Sequence, residues 1–194
     1  LEFGKGYSLK EVSAPYGYIL SHEAVKFDVT EENSTEEGGV TIVAVKLGNY
    51  AQKGIIKISK TGEVFASVAA TDGVYQPVYA VQGLAGATYE IKATEDIYTP
   101  DGTLRCSAGE VVDTVTTGAD GTAESKPLYL GKYEITEMKA PDGMVVSKDA
   151  HTAELVYAGQ EIEITETAAS FCNDRQKARI SLSKVLEQNK QFGI

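Results

Sequence analysis

LGNYAQKGIIKISK, Leu47 to Lys60, and FCNDRQKARISLSK, Phe171 to Lys184, align without a gap at a constant offset of 124 residues. Similarity at a fixed period marks a chain built from repeated units, so this pair governs how everything around it is divided. A second pair is FGKGYSLKEVSAPYGYIL (Phe3 to Leu20) and LGKYEITEMKAPDGMVV (Leu130 to Val146), which match once Gly6 is treated as an insertion. It sets Glu11 against Glu137 at an offset of 126. One complete unit therefore spans 54–177, with the Q-K pairs Gln52-Lys53 and Gln176-Lys177 at its junctions. Residues 1–53 are the C-terminal part of an earlier unit, and 178–194 are the first strand of a later one. Within a unit the order is a lysine-bearing strand, a long middle, a glutamate-bearing strand and an asparagine-bearing strand.

Short runs rich in Val, Ile, Thr and Tyr recur through the complete unit, separated by Asp-Gly and other turn signals. They are Ile56–Lys60, Gly86–Ile91, Tyr98–Thr103, Val111–Thr116, Lys132–Met138, Thr152–Tyr157 and Glu161–Asn173. No apolar period of 3.6 residues persists for three turns, and a short turn near Glu95 to Tyr98 is the only helical candidate. The expectation is an all-β chain: a β-sandwich of about seven strands per unit. Thr71-Asp72-Gly73 and Tyr75 to Gln82 read as loop.

Residues two apart on a strand share a face. Ile56, Ile58 and Lys60 form one row, Tyr133, Ile135 and Glu137 a second, and Ala169, Phe171 and Asn173 a third. Each ends an inward apolar row on a polar group. The partial units repeat the pattern as Tyr7, Leu9, Glu11, as Val45, Leu47, Asn49, and as Ile180, Leu182, Lys184. Taken singly, such residues are solvated strand ends or turn caps. In register in every copy, an amine, a carboxyl and an amide sharing a core should interact, because buried polar groups are costly unless paired. Their chemistry is complementary. Burial favours the neutral, nucleophilic amine and the protonated carboxyl. Lys60 can attack the Asn173 side-chain carbonyl while Glu137 relays protons to departing ammonia, leaving an isopeptide bond.

With those residues in place, ITEMKAPDGM and SLKEVSAPYGYIL resemble the E-box of the Cna B-type (SpaA-like) domains of Gram-positive pilins and adhesins. KISKTG is similar to that family's first strand with its reactive lysine, GLAGATYEI to its second strand, and FCND to its closing strand. The resemblance implies tandem Cna B-type repeats of transthyretin/prealbumin-like, Ig-like β-sandwich fold. It also implies that Lys60 is the reactive lysine, Glu137 the catalytic acid and Asn173 the acceptor, with Glu11, Asn49 and Lys184 as their equivalents in the partial repeats. Met144 departs from the pattern, standing where the E-box usually has an aromatic, as Tyr18 does.

The 194 residues carry 18 basic and 28 acidic side chains, net charge -10, which disfavours a nucleic-acid partner. The apolar runs are too short to span a bilayer, so this segment is expected to make no membrane contact. His22 and His151 occupy unmatched positions, and no hydrolase, zinc-protease or phosphate-loop motif occurs, so no turnover enzyme, cofactor or metal is expected. Cys106 and Cys172 are read as free or, in an extracellular setting, as one disulfide.

The function expected is a structural stalk segment of a cell-surface adhesin or pilin, each repeat locked by its own Lys-Asn isopeptide. Its location would be extracellular, anchored through parts outside this chain. Its partners would be neighbouring repeats, and other copies through the incomplete flanks. The alternative is a ligand-binding adhesin module that recognises a host matrix protein or glycan through the acidic run Asp28–Glu37 or the Tyr75–Gln82 loop.

Overall fold

The alternation that begins at Gly54 carries one strand straight through the middle of the molecule. In the computed structural model, which describes residues 1–185, every second side chain from Gly54 to Gly62 is buried. The strands in chain order are β1 (Gly4–Leu9), β2 (Val25–Val29), β3 (Thr35–Glu37), β4 (Val40–Ile42), β5 (Lys53–Thr71), β6 (Val74–Gly83), β7 (Thr88–Ala93) and β8 (Ile97–Tyr98). They continue as β9 (Leu104–Cys106), β10 (Val111–Thr116), β11 (Thr122–Glu124), β12 (Leu128–Tyr129), β13 (Gly131–Lys139), β14 (His151–Leu155) and β15 (Ile164–Asn173).

From Lys53 to Asn173 these strands build a sandwich. One sheet has the order β10-β7-β13-β14, and the other gathers β11, β12, β15 and β6 around β5. The two inner faces meet in a core that includes Ile56, Ile58, Tyr89, Ile91, Tyr133, Ile135 and Phe171. β15 pairs with β5 in parallel, setting Ala169 against Ile58, Phe171 against Lys60 and Asn173 against Gly62. The first and last strands of the unit are thus immediate neighbours.

Three expectations are corrected. Thr71 to Gln82 is not a loop. β5 runs on to Thr71 and pairs with β6 across a tight turn at Asp72 (φ 50°) and Gly73 (φ 75°). The arm is exposed on both faces beyond Val64, so it lacks the apolar alternation that reveals a half-buried strand. The segment Glu95 to Tyr98 is not helical, because Asp96 is drawn across to accept from the Ala108 N–H at 2.7 Å and the chain bends into β8. Finally, the described part of 178–194, up to Val185, forms no strand. A strand is held by its ladder, and among the described residues this segment pairs with no other. Residues 186–194 of that expectation lie outside the described residues.

The amino-terminal portion repeats part of the sandwich. β1 pairs with β2 as β13 pairs with β14, with Tyr7 opposite Phe27 and Leu9 opposite Val25, matching Tyr133 opposite Ala153 and Ile135 opposite His151. The bulge between Gly4 and Tyr7 absorbs the inserted Gly6. Residues 43–50 correspond to β15 but form no strand, although their exposure still alternates. Gln52 is 1% exposed at the join. Its side-chain N–H groups donate to Gly159 O and Ile162 O, and its carbonyl accepts from Ala158 N at 2.8 Å.

Candidate functional site

Lys60, Glu137 and Asn173 come from three different strands and converge inside the sandwich, 0%, 3% and 5% exposed. β5 points Lys60 inward after Ile56 and Ile58, and parallel pairing with β15 brings Asn173 alongside. β13 delivers Glu137 from the opposite sheet. Two glycines let the backbones close around the lysine. Gly121 O accepts from Lys60 N at 2.7 Å, and Leu84, next to Gly83, donates from its N to Lys60 O at 3.0 Å. A Cβ on Gly121 would lie 2.5 Å from Lys60 O, and one on Gly83 would lie 2.0 Å from Asp120 O.

Glu137 organises the centre. Its Oε1 is 2.9 Å from Lys60 Nζ. Asn173 Nδ2 donates to Oε1 at 3.0 Å and to Oε2 at 2.9 Å, and the Ser147 N–H donates to Oε2 at 2.7 Å. Lys60 Nζ also donates to Asn173 Oδ1. The Tyr89 hydroxyl lies 3.4 Å from Glu137 Oε1, and burial, reinforced by the Glu137 charge, pushes the Tyr89 phenol well above the ordinary tyrosine value. Tyr89 therefore stays a neutral donor. The Tyr89 and Phe171 rings, 4.5 Å apart, each lie 5.9 Å from Lys60 Nζ and wall the amine off from water.

One carboxyl group thus touches both nitrogens of an aminolysis: the amine that would attack and the amide nitrogen that would leave. No additional acid or base is needed to carry a proton from one to the other. Met144 is 7% exposed and packs with Leu84, Ala140 and Val64, so a methionine fills the place of the usual aromatic.

The partial unit holds the same carboxyl and amide, with no amine bonded to them among the described residues. Asn49 Nδ2 donates to both oxygens of Glu11 at 2.8 and 2.7 Å, and Ser21 N donates to Glu11 Oε2 at 2.9 Å. The backbone around it is also copied. Ile19 N donates to Tyr50 O as Val145 N does to Asp174 O, both at 2.9 Å. Lys184 is exposed. Sequence reasoning missed Ser21 and Ser147, although each lies ten residues after its glutamate, a coincidence of spacing that was readable. It also gave no role to Tyr89 or to Gln52. Cys106 and Cys172 are both free thiols, and Cys172 points outward. Among the described residues no three His, Cys, Asp or Glu side chains converge as a metal site.

Comparison with known proteins bears on the fold around this site. Residues 79–168 match the family model described as SpaA, a prealbumin-like fold domain. Within that stretch the strands follow a prealbumin-like fold. Among solved structures it is similar to the Bacillus anthracis TIE protein, at 26% identity and TM-score 0.46, over 87% of this chain and 24% of that one. It is also similar to GBS52, the minor pilin of Streptococcus agalactiae, at 15% identity and TM-score 0.41, over 83% of this chain and 61% of that one. A third similarity is to the major pilin SpaD of Corynebacterium diphtheriae, at 21% identity and TM-score 0.41, over 64% and 30% of the two chains. The chain thus spans less than two thirds of each of these proteins. No curated protein matches it.

Proposed function

We propose that the chain is a segment of a Gram-positive cell-surface stalk, and that its complete unit is locked by a self-generated isopeptide bond between Lys60 and Asn173. The observation that carries this reading is the Glu137 carboxyl lying within 3.0 Å of both Lys60 Nζ and Asn173 Nδ2 in a buried site. Neutral Lys60 Nζ attacks Asn173 Cγ, and Glu137 takes a proton from that nitrogen and returns it to Nδ2. The Cγ–Nδ2 bond breaks, ammonia leaves and the new Cγ–Nζ amide remains. Fixing the groups in one cavity supplies the proximity that a free amine and amide lack.

The event happens once per molecule, so Glu137 acts as a catalyst in a protein that is not an enzyme. A bond between neighbouring parallel strands would carry tension from β5 directly into β15, as suits an extracellular stalk linked to neighbouring repeats. Intact mass tests this: the purified chain is expected to be lighter than its sequence by one ammonia, with Lys60 and Asn173 peptides joined after digestion. A mass equal to the sequence mass overturns the reading.

A second reading, a ligand-binding adhesin module, draws on the arm of β5 and β6, which exposes Phe65, Val74, Tyr75 and Val81. Binding of the chain to host matrix proteins or a glycan panel, lost when the arm is shortened, would support it.

A further inference from the structure

Neighbouring units on one chain move against each other by default, unless the contact between them is built to prevent it. At the junction before β5 no residue is spare for a hinge. Tyr18 and Ala51 form a β-bridge, Ile19 N donates to Tyr50 O at 2.9 Å, and Gln52 N donates to Gly17 O at 2.9 Å. β5 begins at the very next residue, Lys53.

The loop between β14 and β15 closes on this junction from the other side. The Gln52 side chain, buried at the join, donates to Gly159 O at 2.9 Å and to Ile162 O, and accepts from Ala158 N at 2.8 Å. Gln160 reaches back in return. Its Oε1 accepts from Ala14 N at 2.8 Å, and its main-chain O accepts from Leu20 N at 2.9 Å. The Tyr16 and Tyr157 rings lie 4.6 Å apart.

Gly17 shows how close the approach is. A Cβ there would lie 2.7 Å from Pro100 Cγ. Gly143, its counterpart in the complete unit, has a similar φ, 77° against 84°, yet a Cβ on it would meet nothing within 4 Å. The tight contact therefore belongs to the junction and not to the turn that both glycines make.

We propose that the Tyr157–Glu163 loop is a clasp that grips the Ala14–Leu20 stretch of the preceding repeat and holds the two at one fixed angle. Hydrogen bonds to both ends of a planar amide leave it one orientation, and this amide sits on the chain path from one repeat to the next. The clasp also spreads load. Lys53 lies opposite Ile164, so Gln52 and Ile162 stand just before the paired starts of β5 and β15. Tension arriving at Gln52 passes into both strands at once. The inference rests on reading the chain as a stalk of repeats, where a fixed angle makes a rod, but it does not depend on the Lys60–Asn173 bond.

Double electron–electron resonance on the full chain tests it, with spin labels on Cys172 and on a Ser8→Cys substitution, and Cys106→Ser to remove the other thiol. The expected result is one narrow distance peak in this background. Gln52→Ala combined with Gln160→Ala should widen and shift it. Gly17→Ala should widen it as well, Pro100→Ala added to Gly17→Ala should narrow it again, and Gly143→Ala should leave it unchanged. A broad distribution in the background chain overturns the clasp, as does a narrow peak that survives loss of both glutamines. Widening by Gly143→Ala equal to that by Gly17→Ala assigns the effect to the turn and overturns the Pro100 contact. Intact mass of the same samples keeps the two readings apart: a narrow peak in a chain that has lost no ammonia overturns the crosslink and supports the clasp.

Discussion

Replacing Lys60 with Met and Glu137 with Gln together would remove the proposed crosslink without stranding a charge. Methionine keeps an unbranched stem of similar reach, and glutamine keeps an oxygen for the Ser147 N–H that now sits 2.7 Å from Glu137. Removing one partner of a buried ion pair costs about 3–5 kcal/mol by itself, which would obscure the effect of the bond, whereas a neutral replacement of both avoids that cost. The proposed bond would join residues 113 apart in sequence. In the chain-entropy account of crosslinks, closing such a loop removes about 16 cal/mol/K from the denatured state, or about 4.8 kcal/mol at room temperature. With an unfolding entropy of about 2.1 cal/mol/K per residue over a unit of roughly 120 residues, that corresponds to a fall of about 20 °C in Tm. Differential scanning calorimetry of the two proteins, each checked by intact mass, measures it. A difference of only a few degrees, with the ammonia loss confirmed in the unaltered chain, would refute the entropic reasoning.

Gly121→Ala should cost more than about 2 kcal/mol, because its φ of +79° disfavours a side chain and the new Cβ would press on Lys60 O. Gly118→Ala, whose Cβ meets nothing closer than 3.5 Å, should be mild, and urea titration separates the two. Burial pushes both Tyr89 and Tyr133 above the ordinary value of 10.0, so the unfolded chain loses these protons first as pH rises. Stability should therefore be full below pH 10 and decline above it, less steeply in Tyr89→Phe and Tyr133→Phe, as read by Tm against pH. Replacing Val68–Pro77 with an Asn-Gly turn should leave the ammonia loss intact and Tm within a few degrees, since Phe65, Val68, Tyr75 and Val78 are exposed and the Glu63–Arg175 pair is kept.

The polar residues closing inward rows were legible because burial on a strand has a period of two, and Lys60, Glu137 and Asn173 each fall in phase with the aliphatics before them. The half-site was legible for the same reason at Glu11 and Asn49. The arm was not, because its exposed strands carry no such phase and Pro77 in β6 argues against a strand unless that strand is an edge. Gln52 was read as punctuation at a junction, and its three partners at Gly159, Ile162 and Ala158 are backbone atoms more than a hundred residues away. Ser147 was legible only through its spacing from Glu137, shared by Ser21 and Glu11, because its contribution is a main-chain N–H, which any residue but proline could make.

The arm has a consequence for how the molecule survives damage. β5 passes Lys60 and continues to Thr71, so the whole of the β5–β6 turn lies inside the loop that a Lys60–Asn173 bond closes. A protease that cuts at the exposed Asp72-Gly73 turn would open the ring without releasing either half. The nicked protein would run as one species on a reducing denaturing gel, its ends still joined through a side chain. A stalk built this way can lose peptide bonds at its most accessible points and keep its length.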